Sequence, residues 1–153
     1  MKKLRKLLIL WLVLASLTAC TCNVHAVVED VSSLSPRSNA YFMQLNWDLT
    51  YEGGSTLRVY AKPTATHVMI KLGASSIVLY EKRPGASSFT GVYTYNSYTA
   101  PSVLGSNKIV HTFEGFYNKA VSGGQYYISV AFYAQDSAGS EYLYRSTPII
   151  TVP

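Results

Sequence analysis

The sequence predicts an all-β domain, an antiparallel sandwich or barrel, on three observations. Apolar and polar residues alternate with a period of two over long stretches, as strands with one buried face require. Turns built from Gly, Ser and Pro recur roughly every ten residues, and no stretch carries the 3.6-residue period of an amphipathic helix. With 153 residues, 48% of them hydrophobic and 14% charged, the chain can fold as one domain and is too apolar to be disordered.

The N-terminal segment is a separate matter. Lys2, Lys3, Arg5 and Lys6 form a basic start, and Leu7 to Leu17 is an uncharged apolar run, the layout of a secretory signal peptide. Extended to Ala19, the run makes roughly 20 Å of helix, short of the hydrocarbon thickness of about 30 Å. Leu17, Thr18, Ala19 and Cys20 follow in order and resemble the lipobox of bacterial lipoproteins. That resemblance implies a diacylglycerol on Cys20 and cleavage after Ala19, so that the chain is held at the membrane of a cell envelope. Several acyl chains make a stable anchor, because each buried methylene contributes about 0.8 kcal/mol. Thr21 in place of Asp matches an outer-membrane destination under the enterobacterial sorting rule. The alternative is a soluble exported protein, since Val24, His25 and Ala26 also fit cleavage after Ala26. The expected organisation is a signal peptide over 1–19, a lipidated N-terminus and tether over 20–39, and one domain over 40–153. Cys20 and Cys22 are the only cysteines and lie one residue apart, so no disulfide framework is available.

Within the tether, 27–31 could form a first strand. Tyr41 to Leu49 then alternates strictly, with Tyr41, Met43, Leu45, Trp47 and Leu49 on one side. Further strands are expected at 56–62 after Gly53-Gly54, 67–72 before Gly73-Ala74-Ser75-Ser76, 77–82 before Pro84-Gly85, 89–95, 108–113, 125–134, and 141–152 broken by Pro148.

The C-terminal third carries a family resemblance. Gly123-Gly124-Gln125-Tyr126-Tyr127 leads into Ile128, Val130, Phe132 and Ala134 and then Asp136-Ser137-Ala138-Gly139, which is similar to the end of fibronectin type III and bacterial immunoglobulin-like domains. Leu45-Asn46-Trp47-Asp48 resembles an early strand of the same fold. The resemblance implies a single antiparallel β-sandwich with Trp47 as core indole and Tyr126 as a tyrosine corner, its ring buried and its hydroxyl turned to a backbone group. The usual Leu-x-Pro-Gly before the corner is missing, and the distance from Trp47 to Tyr126 implies extra strands or an insertion around 84–107.

Charge excludes one class of partner. Four of the thirteen basic residues fall within the first six positions, leaving nine against eight acids. A nearly neutral domain lacks the basic footprint that nucleic acid requires. His25, His67 and His111 are scattered without metal-ligand spacing, and no phosphate loop, nucleophile elbow or local acid pair is present, so neither a metal, a cofactor nor catalysis is expected.

Tyrosine is abundant instead, at 13 residues. Tyr93, Tyr95 and Tyr98 cluster in a charge-free stretch, and tyrosine gives large contact area at little rotamer cost. Tyr93 and Tyr95 share a phase that also suits one inward strand face, whereas Tyr98 lies in the loop beyond. Tyr127 and Tyr133 fall opposite the core phase of their strand. Tyr95, Tyr98, Tyr127 and Tyr133 are therefore the candidate binding residues, beside Cys20 as the lipidation site. The expected function is a membrane-tethered, non-catalytic binding module for an envelope protein or glycan, with an assembly role in an envelope or secretion complex as the alternative.

Overall fold

A computed structural model describes residues 40–153; the signal peptide, Cys20, Cys22, the tether and the 27–31 strand lie outside the described residues. The domain is all-β, with eight strands: β1 (Phe42–Gly53), β2 (Thr56–Lys82), β3 (Thr90–Asn96), β4 (Leu104–Val110), β5 (Phe113–Tyr117), β6 (Gln125–Gln135), β7 (Ser140–Ser146) and β8 (Ile150–Thr151). Every pairing is antiparallel, and the sheet curls into a half-barrel.

Everything hangs on β2. Its first half pairs with β1 on one side, from Thr56 to Ala65, and with β5 on the other. Its second half pairs with β6, from Lys71 to Lys82, while β4 and β3 follow one another along its opposite edge. Beyond β6 lie β7 and, at the far end, β8. One strand thus belongs to two layers, a β1–β2–β5 layer and a β3–β2–β6–β7 layer.

The three strands expected at 56–62, 67–72 and 77–82 are therefore one strand of 27 residues, and Gly73-Ala74-Ser75-Ser76 is not a turn. Two local features explain the misreading. Gly73 has φ +155°, and a Cβ there would lie 2.3 Å from the Val103 carbonyl oxygen, so glycine serves a close approach of the 3-10 turn Pro101–Val103 rather than a chain reversal. Ser75 is an extra residue between the Ala74–Phe132 and Ser76–Ala131 pairs, a bulge that bends the strand where it leaves one layer for the other. Gly53 and Gly54, at φ +100° and +62°, do make the β1–β2 hairpin turn. The expected strand at 108–113 is split instead between β4 and β5, and β3, the 3-10 turn and the start of β4 occupy the region anticipated as an insertion.

The core lies between the layers. Leu57, Val59, Met69, Leu72, Ile77, Leu79, Ile128, Val130 and Phe132 have no exposed surface. Burying each such side chain fully contributes about 1.5–3 kcal/mol. Phe42 and Trp47 of β1 reach Phe132 of β6 edge-on, with ring centroids 6.4 and 6.1 Å apart, which closes the two layers on one another. Trp47 is in the core phase, opposite Ala61, but β1 is an outer strand and the indole is only half-buried. Its expected place at the centre of the core belongs to Phe132. Tyr126 is fully buried, and its hydroxyl accepts the Val121 N–H at 2.9 Å, which is the corner geometry the resemblance implies.

Candidate functional site

The alternation of β6 divides its side chains cleanly. Tyr126, Ile128, Val130, Phe132 and Ala134 turn to the core; Tyr127, Ser129, Ala131 and Tyr133 turn to the outer face of the β3–β2–β6–β7 layer. Register brings a matching set from the neighbouring strands. Tyr80 of β2 lies opposite Tyr127, and Ser76 opposite Ala131. Across β7, Tyr142 lies opposite Tyr133, Tyr144 opposite Ala131, and Ser146 opposite Ser129. Between the Lys82–Gln125 pair at one end and the Lys71–Gln135 pair at the other, none of these outward positions is charged.

The rings form two pairs. Tyr80 and Tyr127 stack face to face, 4.7 Å between centroids and 7° between planes, and Phe89 stands edge-on to Tyr127 at 5.0 Å. Tyr133 and Tyr142 pack at 4.7 Å and 46°, with the Tyr133 hydroxyl donating to Gln135 Oε1 at 3.0 Å. Such cross-strand aromatic pairs each stabilise a sheet by about 0.2–1 kcal/mol, which holds the rings in place. Tyr142 and Tyr144 remain 49% and 68% exposed. On the far side of Tyr80, its β3 partner is Gly91, so no cross-strand side chain lies against that flank of the ring.

The remaining candidates separate. Tyr98 is 92% exposed, held out by a turn in which Asn96 Oδ1 accepts the Tyr98 N–H at 2.9 Å and the Thr99 N–H at 3.1 Å. It belongs to the β3–β4 connection, apart from the pairs on β6. Tyr95 leaves the candidate set: it faces inward opposite Ile77, is 5% exposed, and packs on Phe113 at 5.3 Å. Its hydroxyl has no hydrogen-bond partner, and burial pushes its pKa up to about 12. Tyr93 shares that inward phase and touches Tyr95 at 4.7 Å, but β3 is an outer strand and the ring is 40% exposed.

Three contributors escaped the sequence reading: Tyr80, Tyr142 and Tyr144. The alternation of Tyr142 and Tyr144 with Leu143 was a usable signal of a half-exposed strand, but nothing local shows that Tyr80 meets Tyr127.

Elsewhere the surface mixes charged groups with exposed apolar side chains, among them Met43, Val68, Ile70, Ile109 and Phe116. A cleft of about 540 Å³ along β1 is lined by Leu45, Asn46, Trp47, Asp48, Arg58 and Tyr60. Arg58 there is held by Glu52 at 2.9 Å and Glu114 at 3.2 Å, so its cation is already matched. At the start of the domain, His67 Nε2 lies 2.9 Å from Asp136 Oδ2, and the Tyr41 hydroxyl donates to Asp136 Oδ1 at 3.1 Å. His67, with the Ala138 and Gly139 N–H groups and Tyr41, holds the Asp136 carboxyl below its ordinary pKa. Among the described residues, no group of three or more His, Cys, Asp or Glu is placed to hold a metal ion.

No family model and no curated protein matches the chain. Among solved structures, the crystal structure of Spo0M, a sporulation control protein from Bacillus subtilis, is similar over 71% of this chain at 9% identity and a TM-score of 0.42. The chain spans about half of that protein, 48% of its length.

Proposed function

We propose that the chain is an exported, membrane-tethered, non-catalytic binding module of immunoglobulin-like or fibronectin type III-like kind, anchored through acylated Cys20. Its recognition surface is the outer face of the β3–β2–β6–β7 layer. The observation that supports this reading is the make-up of that face: Tyr80, Tyr127, Tyr133, Tyr142 and Tyr144 interleaved with serines, without a charge between its two lysine ends. Tyrosine with serine is the composition of surfaces that recognise by rigid contact area and adaptable hydrogen bonds. The lipobox resemblance supports the tether and an envelope partner. The test is capture from envelope extract by the full chain and by a Tyr142→Ser/Tyr144→Ser variant. Both rings are exposed, so the variant should fold normally and lose the captured partner; equal capture by the two refutes the face.

An assembly role through strand addition is the second reading, favoured by the β7 edge, which has no partner strand beyond it among the described residues. Arg145 works against it, because its Nη1 donates to the Tyr144 carbonyl at 2.7 Å and so blunts the edge.

A further inference from the structure

We infer that the ligand of the tyrosine face is an uncharged polysaccharide chain lying along β6, an assignment that rests on the recognition surface proposed above. Three features point to this chemistry. The first is charge. Between the lysine ends of this face, a phosphate, carboxylate or cationic ligand would give up hydration without meeting a counter-charge, which is costly, whereas a neutral polyol loses no ionic solvation. The second is the kind of polar group. Tyr80, Tyr127, Tyr133, Tyr142 and Tyr144 offer hydroxyls, as do Ser76, Ser129 and Ser146, and each can donate and accept as a sugar hydroxyl does. The largest aliphatic side chain among the outward-facing positions is Val78, opposite Ser129, so the face offers hydroxyls and aromatic rings rather than an aliphatic surface.

The third feature is shape. Tyr127 and Tyr133 stand six residues apart on β6, about 20 Å at the strand rise, and between them lie only Ser129 and Ala131. A floor of small residues on β6, with Tyr144 standing beside Ala131 and an aromatic pair at each end, suits an extended chain rather than a single sugar ring. At one end, the Tyr80 ring is covered by Tyr127 on one face, and its cross-strand partner on the other side is Gly91, which adds no side chain beside Val78. That leaves a ring face for the apolar side of a sugar. Gly91 needs no unusual backbone angle, and a Cβ built there would meet Tyr80 Cε1 at 3.8 Å, an ordinary contact. Its lack of a side chain is therefore not demanded by the fold.

The experiment is isothermal titration of the full chain, purified in a polyoxyethylene detergent that carries no sugar, with cellohexaose, laminarihexaose, mannohexaose and chitohexaose, and with hexagalacturonate as a charged control. At least one neutral hexamer should bind, with little change between low and high salt, and the charged control should not. Tyr142→Ala and Gly91→Thr should each weaken binding by about tenfold or more while the chain stays folded, with at most a shift of a few degrees in melting temperature for Tyr142→Ala, as expected for anchor contacts. Failure of every neutral hexamer to bind, or binding that survives both substitutions, overturns the polysaccharide assignment. If capture of an envelope protein is still lost in the Tyr142→Ser/Tyr144→Ser variant, the surface stands and its partner is a protein. If that capture is unaffected too, the recognition surface itself falls.

Discussion

The hydroxyl of Tyr126 on β6 donates to Glu81 Oε1 on β2 at 2.5 Å, so a buried carboxylate is bound to the residue that closes the corner before β6. The same hydroxyl accepts the Val121 N–H, and Arg83 Nε donates to the other oxygen of Glu81 at 2.9 Å. One phenol thus satisfies a backbone donor and half of a charged acceptor at the place where the chain enters the core-facing run of β6.

Tyr126→Phe keeps the ring and removes that hydroxyl. The Val121 N–H and one Glu81 oxygen then lack their partner, and each such buried group costs about 1–3 kcal/mol. Urea denaturation should show a loss of that order with an unchanged slope. A variant as stable as the parent would mean that the hydroxyl's partners are satisfied by water.

Trp47 and Phe132 meet ring to ring but differ in burial, one half-exposed on an outer strand and the other fully enclosed. Phe132→Ala should cost about 3–5 kcal/mol, and Trp47→Ala roughly half as much, because less surface returns to water. Equal losses in parallel denaturation curves would place the indole in the centre of the core.

Stability should fall at both ends of the pH range for opposite reasons. Tyr95 and Tyr126 titrate near 12 in the folded chain, raised from 10 first by burial and, at Tyr126, next by Glu81. Between those values the unfolded chain has lost protons that the folded chain keeps, so stability is intact below pH 10 and declines through pH 12. Asp136 is shifted the other way, chiefly by His67, so its contribution is present above the ordinary carboxylate pKa and is lost as pH falls through the lower folded value. Absorbance at 295 nm should show Tyr95 and Tyr126 ionising well above pH 10, as stability declines, and Asp136→Asn should flatten the acid limb. An acid limb unchanged in Asp136→Asn would remove the His67–Asp136 contact from the account.

Cys20→Ala should abolish acyl labelling and block cleavage after Ala19, shifting the chain from the membrane to the soluble fraction or to an uncleaved precursor. Labelled fatty acid and membrane fractionation measure this directly. Undiminished labelling would remove Cys20 as the acylation site, whereas a parent chain without label would favour the soluble route, with cleavage after Ala26.

The all-β class, the presence of a strand at Tyr41–Leu49 and the two-faced character of β6 were legible in the sequence because alternation with a period of two is a local property of the chain; the phase expected of Met43 was not kept, because a bulge between Phe42 and Gln44 buries Phe42 and leaves Met43 68% exposed. The inward phase of Tyr126 and the outward phase of Tyr127 and Tyr133 follow from the same counting. What could not be read locally depends on contacts between distant segments. Gly73 looks like a turn residue until Val103 is seen against it, so three apparent strands proved to be the single β2. Trp47 and Tyr93 have core phases, but their exposure was set by the outer positions of β1 and β3 in the sheet. Tyr95 and Tyr98, neighbours in one uncharged stretch, part company because the strand ends between them and only Tyr95 meets Phe113. The pairing of Tyr80 with Tyr127 and of Tyr133 with Tyr142 was created by register, since cross-strand neighbours are chosen by how whole strands align and not by the residues around each ring.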